Sequence, residues 1–92
     1  MIKLISFTAN GWKDYLYWQT QDKKTLKKIN NLIKDCQRDP FSGAGKPEPL
    51  RHELAGTWSR RINDKDRFIY LVLDQEIRVL SCRYHYGISE AI

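Results

Sequence analysis

Apolar and polar positions change period along the chain, and the changes mark the elements. Ile2 to Phe7, "IKLISF", is short and rich in β-branched and aromatic residues, which predicts a strand. After it the period becomes helical. Trp12, Tyr15, Leu16 and Trp18 recur at three- and four-residue spacing, with Asn10 as the expected N-cap. Asp22 is placed to cap a longer helix in which Leu26, Ile29, Leu32, Ile33 and Cys36 form one apolar stripe. Arg38 to Leu50, "RDPFSGAGKPEPL", is punctuated by prolines and glycines and predicts a loop. Three strands follow in quick succession. "TWSRRIN" turns at "DKD" into "RFIYLVL", which turns at "DQ" into "EIRVLSCRYHY". Connections this short predict an antiparallel meander.

The predicted order is β-α-α-β-β-β, an α+β fold with two helices on one face of a mainly antiparallel four-stranded sheet. The second face is expected to stay partly open. Strand alternation sends Trp58, Arg60 and Ile62 one way and Ser59 and Arg61 the other. In the last strand Ile77, Val79 and Ser81 share a face with Arg83 and His85, while Arg78, Leu80, Cys82, Tyr84 and Tyr86 take the opposite one. Which faces coincide between strands depends on the register, which the pattern does not give.

Composition adds little to the fold and more to the partner. At 92 residues, 41% of them hydrophobic and 29% charged, the chain suits one soluble domain. No apolar run approaches the ~18 residues of a membrane span. The first residues carry no secretory pattern, and Cys36 and Cys82 lie far apart in apolar segments. Reduced, buried thiols in a cytoplasmic protein are therefore expected. Sixteen basic residues against eleven acidic ones give +5, which favours an anionic partner such as nucleic acid or a strongly acidic protein. Lys23, Lys24, Lys27, Lys28 and Lys34 lie largely off the apolar stripe. Such a run is usually a solvated helix face, and it also suits contact with RNA phosphates.

Candidate chemistry gathers in two places. In "PEP" the prolines hold Glu48 extended, although a solvent-facing loop carboxylate is the simpler reading of that residue alone. "RYHY" brings an arginine, two tyrosines and His85 together, groups that clamp phosphate, stack on bases and move protons. Metal-free RNA cleavage needs a base for the ribose 2′-OH, cations for the crowded phosphorane and an acid for the leaving 5′ oxygen. Glu48, one or more arginines and His85 match by type, with His52 as the competing histidine. His52, His85, Cys36 and Cys82 lack metal-ligand spacing, and no cofactor motif is present.

Four stretches, "DYLYWQ", "KKIN.LIKD", "GKPEPLRHEL.G.WSRRI" and "CRYHY", stand in order and together resemble the YoeB/Txe family of RelE-like toxins. The resemblance runs from the first strand to Tyr86, so residues 1–86 are expected to form one RelE-like domain, related to microbial ribonucleases, and residues 87–92 a short extension. It implies a toxin of a type II toxin–antitoxin pair that cuts mRNA in the ribosomal A site. It implies Glu48 as general base, Arg67 as support for the phosphorane, His85 as general acid and Tyr86 as a positioning tyrosine. Arg61 corresponds to a phosphate-binding arginine, and Arg51 stands where the family commonly has lysine. The implied partners are mRNA on the ribosome and an acidic YefM-like antitoxin, with a homodimer as a further candidate assembly and no cofactor, metal or membrane. The alternative is a non-catalytic RNA-, ribosome- or antitoxin-binding protein of the same fold.

Overall fold

Thr8 both ends the first strand and starts the first helix. The computed structural model, which describes residues 1–51 and 54–84, places strand β1 at Leu4–Phe7 and helix α1 at Ala9–Gln21. The Thr8 N–H donates to the Val79 carbonyl at 3.0 Å, and its Oγ1 accepts from the Gly11 N–H at 3.0 Å. Thr8 is therefore the N-cap, not Asn10. Asn10 lies in the first turn, where its side chain donates to the Leu80 carbonyl at 3.3 Å. Because Thr8 is tied to the last strand, the helix starts as soon as the first strand ends. Gly11 lets the helix come this close, since a Cβ there would collide with the Val79 carbonyl.

Helix α2, Lys23–Arg38, follows without a loop. Asp22 caps it as expected, accepting from the Lys24 N–H at 3.0 Å and the Thr25 hydroxyl at 2.8 Å. The apolar stripe is where the period put it: Ile29, Leu32 and Cys36 are buried, and Leu26 and Ile33 pack beside them.

The sheet differs from expectation in strand number and direction. It has five strands, in the order β1-β5-β4-β3-β2, with β2 at Glu48–Pro49, β3 at Thr57–Arg61, β4 at Arg67–Leu73 and β5 at Glu76–Ser81. The meander β3-β4-β5 is antiparallel, as its short turns require. The added strand, β2, comes from the proline-rich loop. An edge position tolerates the N–H that Pro49 lacks, and β2 pairs Glu48 with Ser59 and Pro49 with Trp58. At the other edge β1 runs parallel to β5, from Leu4 beside Glu76 to Phe7 beside Val79. A parallel neighbour needs a long crossover, and the two helices supply the length between β1 and the rest of the sheet.

One bulge reverses the alternation in β5. Tyr70 pairs with Val79 but Ile69 pairs with Ser81, so Leu80 is the extra residue. Ile77 and Val79 join the helix-side core, and Cys82 returns to it. Leu80 lies with Ile69 and Leu71 on the other face. Ser81 therefore shares neither face nor environment with Val79, contrary to simple alternation. The second face is also less open than expected, because Ile69, Leu71 and Leu80 form a small core of their own beneath Leu50 and Leu73. Cys36 and Cys82 are free and buried, and desolvation pushes the Cys36 thiol up to about 11.

Arg60, which alternation places with Trp58 and Ile62, is structural. It is fully buried on the helix side, with Nη1 donating to Asp35 at 2.6 Å and to the Ala44 carbonyl at 3.0 Å. Nη2 donates to the carbonyls of Asp39 and Ser42 at 2.7 and 2.9 Å. A planar fork of five donors fits this cage of acceptors, and it ties the loop after α2 to the sheet.

Candidate active site

The glycine-rich approach to Glu48 is shaped by its backbone. Gly45 has φ 79° and Lys46 φ 52°, both left-handed, and the Gly45 carbonyl accepts from the Arg61 N–H at 2.6 Å. A Cβ on Gly45 would press on the Arg61 carbonyl and the Arg60 and Leu32 side chains at 3.0–3.1 Å. The turn therefore needs glycine there, and it delivers "PEP" alongside β3. After Pro49 the Leu50 N–H donates to the Thr57 carbonyl at 2.9 Å, so the segment is held on both sides of Glu48.

Register then decides which charges meet. Glu48 is opposite Ser59, and Arg61 is two residues further along the same strand face. Diagonal neighbours of this kind lie about 7–8 Å apart. Arg61 is in turn directly opposite Arg67. Glu48, Arg61 and Arg67 thus stand on one sheet face, the one turned away from the helices, at the rim of the small second core. Glu48 and Arg61 are exposed, and Arg67 is 8% exposed, with its Nη1 donating to the carbonyls of Asn63 and Asp66 at 2.7 and 3.1 Å. Arg51 is exposed just past Leu50.

The other site residues are placed apart or lie beyond the description. Lys24, Lys27 and Lys28 are exposed on α2, in the helical layer, and the structure does not bring them to Glu48. His85, Tyr86 and the extension 87–92 fall outside the described residues, as does His52. Among the described residues no group of three or more His, Cys, Asp or Glu side chains is gathered in a way that could hold a metal.

The route from β5 towards His85 is described, and it involves residues that the sequence pattern did not single out. The ladder ends at Ser81, not at Tyr86, because the next amides go to side chains. The Cys82 N–H donates to the Asp14 carboxylate at 3.1 Å, and the Cys82 carbonyl accepts from the Trp18 indole at 2.7 Å. Desolvation raises the Asp14 carboxyl above its ordinary value, and the Cys82 N–H acts against that rise. Next, the Tyr84 N–H donates to Asp66 Oδ1 at 2.7 Å, and the Arg67 N–H donates to the Tyr84 carbonyl at 2.9 Å. Arg83 places its guanidinium 3.6 Å from the Tyr17 ring centre and 4.4 Å from that of Tyr84. The spacing of Asp14 and Trp18, one helical turn apart, was the available signal, but Asp66 in its "DKD" turn gave none.

Fold and face define a class: a small, basic α+β domain with a helical layer on one side of a mixed sheet and a carboxylate with two arginines on the other. Residues 7–86 match the family described as the YoeB-like toxin of bacterial type II toxin–antitoxin systems. Toxin YoeB of Escherichia coli (strain K12) is 55% identical over 85 residues, which cover 92% of this chain and 100% of that protein. Among solved structures, the YoeB dimer from Staphylococcus aureus superposes with a TM-score of 0.86 at 45% identity, over 94% of this chain and 100% of that one. The YoeB–YefM complex from the same organism gives 0.83 at 45%, over 91% of this chain and 98% of that one. The chain belongs to the YoeB-like toxin family.

Proposed function

We propose that this toxin is a ribosome-dependent endoribonuclease that cuts mRNA in the A site by metal-independent attack of the ribose 2′-OH on the adjacent phosphorus. The observation that carries the reading is the meeting of Glu48, Arg61 and Arg67 on one sheet face. Glu48 takes the 2′-OH proton, Arg67 and Arg61 neutralise the phosphorane, and His85 protonates the departing 5′ oxygen. His85 and Tyr86 follow directly in sequence on Tyr84, whose N–H donates to Asp66 and whose carbonyl accepts from the Arg67 N–H. Arg51 adds charge beside Glu48, and Lys24, Lys27 and Lys28 add a second basic surface for ribosomal RNA.

Residues 1–86 form the toxin domain and 87–92 an extension of it. The ribosome places the protein's action in the cytoplasm, and no helix among the described residues is long and apolar enough to cross a membrane. An acidic YefM-like antitoxin segment lies over the arginine face and keeps RNA out. The complex of the Staphylococcus aureus relative with YefM supports that partner, and the dimer of the same relative supports self-association.

Primer extension on a translated message after induction tests the reading. Ribosome-dependent cuts that leave a 2′,3′-cyclic phosphate, the end that attack by the 2′-OH must produce, are expected. Ribosome binding without cuts would support the non-catalytic alternative and overturn the enzyme.

A further inference from the structure

Tyr84 has φ 68°, a left-handed conformation that a bulky residue rarely adopts. Two hydrogen bonds hold it there, one from its N–H to Asp66 and one from the Arg67 N–H to its carbonyl. Asp66 is 1% exposed, and its Oδ2 accepts from the Asn63 side-chain amide at 3.1 Å. Other bonds close the turn as well, from the Ile62 and Asn63 N–H groups to the Asp66 carbonyl. Asn63 Oδ1 alone accepts from the N–H groups of Lys65 and Asp66, at 2.8 and 2.7 Å. The Asp66 carboxylate thus bridges two partners, Asn63 within the turn through Oδ2 and Tyr84, 18 positions away in sequence, through Oδ1.

The Tyr84 carbonyl belongs to the peptide group that joins Tyr84 to His85. That plane is bonded to the amide of Arg67, and Asp66 fixes the residue on its near side. We propose that Asp66 is a positioning residue for RNA cleavage: acting through Tyr84, it sets where the chain enters His85 relative to the Arg67 guanidinium. The proposal rests on the endoribonuclease reading, in which Arg67 and His85 act on one phosphate. Misplacing a reacting group by about 1 Å can cost on the order of 10²-fold in rate.

The hydrogen-bond directions supply the test. Asp66→Ala removes the acceptor. Asp66→Asn sets a donor against a donor, at either Asn63 or Tyr84. Adding Asn63→Asp to Asp66→Asn reverses the side-chain bond and restores every pairing. Single-turnover cleavage of ribosome-bound message should fall on the order of 10²-fold in Asp66→Ala. It should fall about tenfold in Asp66→Asn, a barrier change near 1.4 kcal/mol, and return close to the parental rate in the paired exchange. The concentration of protein that half-saturates the ribosome should not change. The NMR titration of His85 should shift in Asp66→Asn and revert in the paired exchange. If Asp66→Ala does not fold, the Asp66→Asn and paired variants decide. Parental cleavage by Asp66→Asn, or a loss that the paired exchange fails to reverse, would overturn the proposal. If the parental protein does not cut at all, the endoribonuclease reading fails. The clamp is then judged by the His85 titration, and an unchanged titration in Asp66→Asn rejects it.

Discussion

Arg61 and Arg67 stand directly opposite each other across β3 and β4, two positive side chains paired on one face of the sheet. Like charges so placed oppose folding, and an anion between them removes the conflict. Arg67 is turned onto the carbonyls of Asn63 and Asp66, while Arg61 stays exposed, and in the proposed mechanism the anion is an RNA phosphate reached from the solvent side.

Arg61→Ala should therefore leave the isolated protein as stable as before, or more so by about 0.2–1 kcal/mol. The same change should weaken RNA binding and make the slope of affinity against salt shallower by about one phosphate contact. Thermal unfolding and RNA titration at several salt concentrations check both halves. A clear loss of stability would show that Arg61 serves the fold.

Arg60, its neighbour in sequence, should behave in the opposite way. Arg60→Ala strands three loop carbonyls and removes one of the partners of Asp35, which keeps Arg38 and the Ala44 N–H, and should cost about 3–5 kcal/mol. Arg60→Lys should recover little of this, because a point charge cannot fill the cage. Denaturant unfolding of the three proteins decides it. An Arg60→Lys variant of parental stability would refute the geometric argument.

Much of the fold was legible in the sequence. The Asp22 cap and the stripe from Leu26 to Cys36 fixed α2, and the short turns fixed the meander. The errors arose where tertiary contacts outweigh local pattern. Thr8 displaced Asn10 as the cap because β5 supplies its partners. Glu48 and Pro49 became a strand because β3 offered an edge. The bulge at Leu80 switched the face of Ser81, which no alternation rule anticipates. For the site, residue types indicated Glu48 and the arginines, and alternation parted Arg60 from Arg61, but only the register shows that Arg61 shares a face with Glu48 and Arg67 while Arg60 turns to the core. Asp66 was hidden because its partner, Tyr84, is distant in sequence.

Two carboxylates should give opposite slopes of stability against pH. Hydrogen bonds from Arg38, the Ala44 N–H and Arg60 hold Asp35 well below the usual carboxylate range. Its stabilisation is complete above the ordinary carboxylate value and is lost as pH falls towards the folded one. Burial raises Asp14 instead, so its contribution weakens as pH rises from the ordinary value through the folded one. Asp35→Asn should flatten the acid limb. Asp14→Asn should match or exceed parental stability near neutral pH, since an amide oxygen can still accept from the Cys82 N–H. Urea unfolding between pH 3 and 7, on the order of the carboxylate range, measures both, and unchanged slopes would contradict the assignments.

Thr57 is 1% exposed, and its hydroxyl has no hydrogen-bond partner among the described residues. Thr57→Val keeps the shape and removes the stranded group, so it should be neutral or stabilising by about 1 kcal/mol. Thermal unfolding checks it. A loss of stability would mean that the hydroxyl has a bonding partner.

The central claim is that Glu48 is the base of a cleaving site and does more than bind. Its most direct test is single-turnover cleavage of message on saturated ribosomes by the parental protein and by Glu48→Gln, with ribosome affinity measured alongside. The predicted result is a fall in rate of roughly 10²–10⁴-fold at unchanged affinity. Cleavage by Glu48→Gln at the parental rate would contradict the account.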